Sequence, residues 1–244
     1  MSDFKAIVFD KDGTLIDFNP TWLPIYRHAA LEFANNDAEL ADALLGEHGY
    51  NHATKRFLGG SLLAAGNNHD IAYAWSAQLP ENFDDEQLED FAQRLNRIFQ
   101  RMGAEYAAAV PDLKPTIRRL KEAGLKLGVA TSDSYDGIHN TLQSFDILPH
   151  FDFLCGYDSG HGVKPEAGMV LAFCEALAVK PTQTIVVGDN KHDIEMGRNA
   201  GAGLCVGVLT GTSTRDELEA IADVVYDDIG GLMQLFADHG QITR

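Results

Sequence analysis

Basic residues are scarce in this chain: 19 Lys plus Arg stand against 36 Asp plus Glu over 244 residues, for a formal net charge of -17 with His neutral. Such a field repels polyanions, so nucleic acid is not an expected partner. Cysteine is equally sparse. Cys155, Cys174 and Cys205 lie far apart in apolar or strand-like runs without CxxC spacing, which argues against a zinc site and for buried thiols in a reducing compartment. No apolar run approaches the ~20 residues of a membrane span, and no basic flank with an apolar stretch opens the chain. The expectation is a cytoplasmic protein with no membrane partner. His69, His139, His150 and His161 have no ligand spacing, so a histidine-based transition-metal site is not expected. Internal repeats and low-complexity tracts are absent too.

A hydrophobic content of 45% is ample for a core. Residues 5–9 form an apolar run without polar alternation, which suits a central parallel strand covered on both faces. The run ends in Asp10-Lys11-Asp12-Gly13-Thr14. A carboxylate at a strand's carboxyl edge can attack an electrophile, and a second one two residues on can move protons beside it. Gly13 permits the tight turn this needs. Taken alone, the same residues also read as a polar turn after an edge strand.

From Lys126 onward, strand candidates at 127–130, 151–155, 184–187, 204–209 and 223–226 alternate with helical patterns. This alternation predicts right-handed βαβ units and a doubly wound parallel α/β sheet. Leu113, Ile117 and Leu120 share one helix face, with Asp112 as a candidate cap and Gly124 as a stop. A second helix follows Pro165, with Met169, Val170, Phe173, Cys174 and Leu177 as its apolar stripe, and a third covers 192–200 before Gly201. Residues 18–106 differ, being rich in Ala, Leu, Asn and Glu without a convincing β-branched strand. They read as an all-helical insertion that includes a helix over 86–102. The predicted organisation is a core of residues 1–17 and 107–244 with a helical cap of residues 18–106.

Three later segments put polar groups beyond strand ends, where α/β folds gather ligands. Thr131 and Ser132 follow 127–130 and can hold phosphate oxygens with hydroxyls and backbone N–H groups, although Thr-Ser-Asp-Ser is equally a helix cap. Lys164 lies between flexible glycines and Pro165. Asp189 ends the strand over 184–187, and Asp193 follows four residues later on the same side of an emerging helix, a pattern that an acidic helix start also explains.

The order DxDGT, Ser/Thr, Lys-Pro, GDxxxD resembles the haloacid dehalogenase-like superfamily of hydrolases. Residues 211–218 look like the tail of its phosphoglycolate phosphatase-like branch, and the insertion has the position of its first type of cap. The resemblance implies a Rossmann-like core and a phosphoric monoester hydrolase acting on a small phosphorylated metabolite such as 2-phosphoglycolate. It implies Asp10 as nucleophile, Asp12 as acid and base, and Thr131, Ser132 and Lys164 on the phosphoryl group. Mg²⁺ would be held by Asp10, the Asp12 carbonyl and Asp189, with Asp193 supporting the site. The intact Asp12 points to phosphate esters over dehalogenation or phosphonate cleavage.

Two positions depart from the pattern. Lys11 replaces an apolar residue and is expected to point away from the nucleophile, since neighbours on an extended chain alternate. Asn190 stands where many relatives carry Thr or Ser. In the cap, His48, His52, Lys55 and Arg56 form a polar cluster that can grip a substrate carboxylate or line a solvated helix face. Gly59, Gly60 and Gly66 suit either a mobile loop or helix connections. A sugar phosphomutase and a non-catalytic phosphate- or partner-binding protein are the rival readings.

Overall fold

Residues 6–9 are apolar throughout because they form the middle of a sheet buried on both faces. The computed structural model describes residues 4–238. The reading of the first residues as leaderless, and the outer ends of the core assignment, fall on residues 1–3 and 239–244 and lie outside the described residues. Strand β1 (Ala6–Phe9) leads into the insertion: α1 (Phe18–Phe33), α2 (Ala38–Glu47), β2 (Tyr50–Asn51), β3 (Arg56–Phe57), α3 (Leu62–Ala65), α4 (Asn68–Ser76) and α5 (Asp85–Tyr106). The chain then builds α6 (Leu113–Glu122), β4 (Lys126–Ala130), α7 (Tyr135–Leu142), β5 (Phe153–Cys155), α8 (Gly168–Ala176) and β6 (Thr184–Gly188). It closes with α9 (Lys191–Ala200), β7 (Leu204–Val208), α10 (Arg215–Glu219), β8 (Val224–Tyr226) and α11 (Gly231–Asp238).

The six core strands are parallel in the order β5-β4-β1-β6-β7-β8. Alternate residues of β1 serve opposite layers. Ile7 and Phe9 pack with Ile117, Leu120, Ile138 and Phe236, while Ala6 and Val8 pack with Val170, Phe173 and Met196. The insertion has an apolar core of its own, built from Trp22, Phe33, Leu44, Trp75, Leu95 and their neighbours. Its long helix α5 lies against both α1 and the core helix α7. Among the described residues no helix is long and apolar enough to cross a membrane.

Several local expectations change. The insertion is not wholly helical, since β2 and β3 pair as a short antiparallel hairpin. The Asn51 side chain accepts from the N–H groups of Ala53 and Thr54, and Lys55 takes a left-handed φ of 56°, so a polar turn rather than β-branched residues makes this hairpin. Asp112 precedes α6 but has a φ of 51° and makes no side-chain cap bond. The helix after Pro165 begins only at Gly168. Strand β5 begins at Phe153 because the Asp152 carboxylate takes the Leu127 N–H, at 3.0 Å, ahead of the ladder.

Candidate active site

The register decides which residues meet. Phe9 is level with Val129 on one side and Val187 on the other, so Asp10 emerges beside the ends of β4 and β6. The chain adds β4 and β5 outward on one flank of β1 and then returns to the other flank with β6, which opens a crevice at the β1–β6 boundary. Asp10 is fixed there by its N–H, donated to Val187 O at 2.8 Å, and Asp189 follows the end of β6.

Lys164, from the β5–α8 loop, brings its ammonium to Asp10 Oδ1 and to Asp193 Oδ1, the latter at 2.7 Å. Asp10, Asp189 and Asp193 each offer a carboxylate oxygen within 4.8 Å of the others. Asp10 Oδ2 is buried and has no partner among the described residues. An orphaned carboxylate oxygen beside two further carboxylates is the oxygen-only donor set of a hard divalent cation. The turn at Gly13 packs directly on Asp189. Gly13 has a φ of 95°, and a Cβ there would come 2.5 Å from Asp189 Cγ. Asp189 Oδ2 is oriented by the Thr212 N–H at 2.7 Å and the Thr212 hydroxyl at 3.1 Å.

Burial drives the titration of this cluster. It raises Asp10 well above the ordinary carboxylate range, against Lys164 and with the help of Asp193, Asp189 and Asp12. Burial and then Asp193 push Asp189 up to about 7, against Thr212 and Lys164. Asp12 is also raised by burial, with Lys11 opposing. For Lys164 burial acts downward, but Asp10 and Asp193 outweigh it and keep the amine protonated.

Asn190 does what a Ser or Thr would do at its position. Its side chain accepts from the His192 N–H at 2.8 Å while Asp193 accepts from the Asn190 N–H at 3.2 Å, a reciprocal cap that starts α9. Asp193 therefore anchors both the helix and Lys164. Thr131 is buried at the end of β4, its N–H donated to Cys155 O at 3.0 Å and its hydroxyl accepting from Asp133 N at 3.1 Å. Ser132 follows it into the cleft.

Lys11, Trp22 and Asp133 are the residues whose part was not anticipated. The Lys11 side chain is fully buried, with its ammonium 2.8 Å from Asp12 Oδ2 and 2.9 Å from Asp133 Oδ2. Trp22, on α1, donates its indole N–H to Asp12 Oδ1 at 2.7 Å. A lysine between two aspartates in an apolar context was the available signal for the first; nothing local marked the others.

On the cap side the cleft is walled by Phe18, Trp22, Tyr26, Leu63, Ile71 and Phe99, with Asn68 beside them. His48, His52, Lys55 and Arg56 are not among its lining residues. The rings of His48 and His52 bond the carbonyls of Leu44 and Asp42, and Arg56 donates to Gly211 O at 3.4 Å. Gly66 closes α3 by donating to Leu62 O, as a helix connection does.

Residues 4–201 match the family model described as haloacid dehalogenase-like hydrolase. The chain belongs to this family of hydrolases. Among curated relatives of this haloacid dehalogenase-like hydrolase, phosphoglycolate phosphatase of Pasteurella multocida is 29% identical over 96% of this chain and 99% of its own length. Pyrophosphatase PpaX of Bacillus cereus is 28% identical over 81% of this chain and 80% of its own. The fold is shared with a crystal structure described as a predicted phosphoglycolate phosphatase from Haemophilus somnus, at a TM-score of 0.75 and 22% identity over 96% of this chain and 99% of that one. The curated phosphoglycolate phosphatases among these relatives support the phosphoglycolate phosphatase-like branch.

Proposed function

We propose that this haloacid dehalogenase-like hydrolase is a Mg²⁺-dependent phosphatase of a small phosphomonoester, working through an aspartyl-phosphate on Asp10, with core residues 1–17 and 107–244 and a cap of residues 18–106. The observation that carries the reading is the Asp10 carboxylate: one oxygen is held by Lys164, and the other is buried and unpartnered beside Asp189. Asp10 attacks phosphorus, forming an Asp10 O–P bond as the ester P–O bond breaks, and Asp12 gives its proton to the leaving oxygen. Water then attacks phosphorus, its proton passes to Asp12, and the Asp10 O–P bond breaks to release phosphate. Lys164 and the Thr131 and Ser132 groups bind the phosphoryl oxygens, while Asp193 keeps Lys164 in place. Mg²⁺ held by Asp10, Asp189 and the Asp12 carbonyl would neutralise charge on the phosphoryl group. Burial that raises Asp12 supports its acid role. Three buried free thiols support a cytoplasmic setting.

The names of the relatives make 2-phosphoglycolate and pyrophosphate the first substrates to test. The aromatic cap wall, which puts no Lys, Arg or His of residues 18–106 into the lining, favours an uncharged leaving group over either. Purified protein is expected to release phosphate from p-nitrophenyl phosphate with Mg²⁺, and Asp10→Asn to lower that rate by about 10³-fold or more while leaving the circular dichroism spectrum unchanged. A panel of phosphorylated metabolites then ranks neutral sugar and polyol phosphates against 2-phosphoglycolate. Appearance of an isomeric sugar phosphate instead of free phosphate would identify a mutase. Absence of turnover across the panel would leave a binding protein.

A further inference from the structure

A cap side chain donates a hydrogen bond to the proposed acid. Trp22 lies in the second turn of α1, and its indole N–H is 2.7 Å from Asp12 Oδ1. The ring is braced by other cap aromatics: Phe99 meets it edge-on with centroids 5.2 Å apart, and Tyr26 packs at 5.3 Å. On the core side, the Lys11 ammonium spans Asp12 Oδ1 at 3.0 Å and Oδ2 at 2.8 Å and is itself fixed by Asp133. Asp12 Oδ1 is thus held by both the core and the cap, and Oδ2 by the core. Oδ2 keeps a second lone pair, so the grip leaves room for the proton that Asp12 must hand on.

Proton transfer in a transition state depends on placing the donor within a fraction of an ångström of the receiving atom. Lys11 alone meets both oxygens through a single ammonium with rotatable donors and leaves the carboxyl free to tilt about that contact. The Trp22 N–H removes this freedom. We propose that Trp22 is a positioning residue for Asp12, a cap-borne hydrogen bond that aims the acid at the leaving oxygen and makes its protonation conditional on a seated cap. The inference rests on the phosphatase reading above. It differs from a packing role in one respect: a misaimed acid hurts only those esters whose leaving group needs a proton.

The test compares phenyl phosphates of similar shape and different leaving-group basicity. Trp22→Phe keeps an aromatic ring and removes the N–H. With Mg²⁺ present, kcat/KM is expected to fall by about tenfold or more for p-tolyl phosphate and by less than about threefold for p-nitrophenyl phosphate, whose phenolate departs without help. Phe99→Leu, which unbraces the Trp22 ring but retains the N–H, is expected to show a smaller loss with the same selectivity, and it serves should Trp22→Phe not fold. Equal losses on the two esters, or no loss on either, overturn the proposal. Failure of the unaltered protein to hydrolyse either ester is a separate outcome that removes the phosphatase reading and this inference together.

Discussion

At the scale of single residues, the site is defined as much by what has no side chain as by the carboxylates. Gly13 and Gly124 both have positive φ, 95° and 84°, so an alanine at either costs roughly 1–2 kcal/mol of backbone energy. Only Gly13 has a neighbour in the way. Its Cβ would come within 2.5 Å of Asp189 Cγ, whereas a Cβ at Gly124 meets nothing within 4 Å. Gly13→Ala is therefore expected to lower Mg²⁺ affinity and activity together with stability, and Gly124→Ala to lower stability alone. Calorimetric titration with Mg²⁺ separates them, and unchanged affinity in Gly13→Ala would show that the turn does not set the Asp189 position. That Asp10, Lys164 and Asp189 come together was legible in the sequence, because each ends a strand or sits in a loop whose type the surrounding glycines and proline announce. Trp22 and Asp133 were not, since their parts depend on meeting Asp12 and Lys11 across the chain, and a tryptophan in an apolar helix looks like core.

At the scale of elements, capping ties the secondary structure to the chemistry. Asn190 and Asp193 satisfy the first N–H groups of α9, and Asp193 also holds Lys164. Asn190→Ala is expected to cost about 1 kcal/mol in urea unfolding and Asn190→Ser a few tenths at most, because a hydroxyl makes the same cap bond. An equal loss in both would mean that the amide has work beyond the cap, such as its 3.4 Å contact with Asp189 Oδ1. The sheet was readable from apolar runs bounded by glycine and polar residues, since strands buried on both faces tolerate little else. What escaped were elements that such runs do not encode. The β2–β3 hairpin has two residues per strand and is made by the Asn51 turn, and Asp112 adopts a backbone conformation that turns its side chain away from capping. The cationic reading of His48, His52, Lys55 and Arg56 fails as a wall of the cleft for a related reason: their nearness in sequence does not fix which way the hairpin faces.

At the scale of the whole molecule, an acidic chain with a net charge of -17 concentrates carboxylates at one buried point. Asp189, raised to about 7 from an ordinary value of 3.8, and Asp10, raised by burial as well, bind protons more tightly folded than unfolded. The protein therefore holds more protons in its native state, and stability must fall as pH rises through this window. In chelator the melting temperature is expected to be higher at pH 5.5 than at pH 8. Mg²⁺, which competes with those protons, should raise it more at pH 8 than at pH 5.5. Asp152 does not confuse the comparison. Although burial pushes its carboxyl up, the Lys121 and Leu127 N–H groups outweigh that and hold it below 3.8, so its stabilising contribution is lost only in more acid solution. Surface self-repulsion also grows with pH, but salt screens it with a Debye length of about 3 Å at 1 M, whereas buried charges are screened far less. The fall in melting temperature should thus persist in 1 M NaCl. A pH trend that vanishes in salt would place its origin on the surface and not in Asp10 and Asp189.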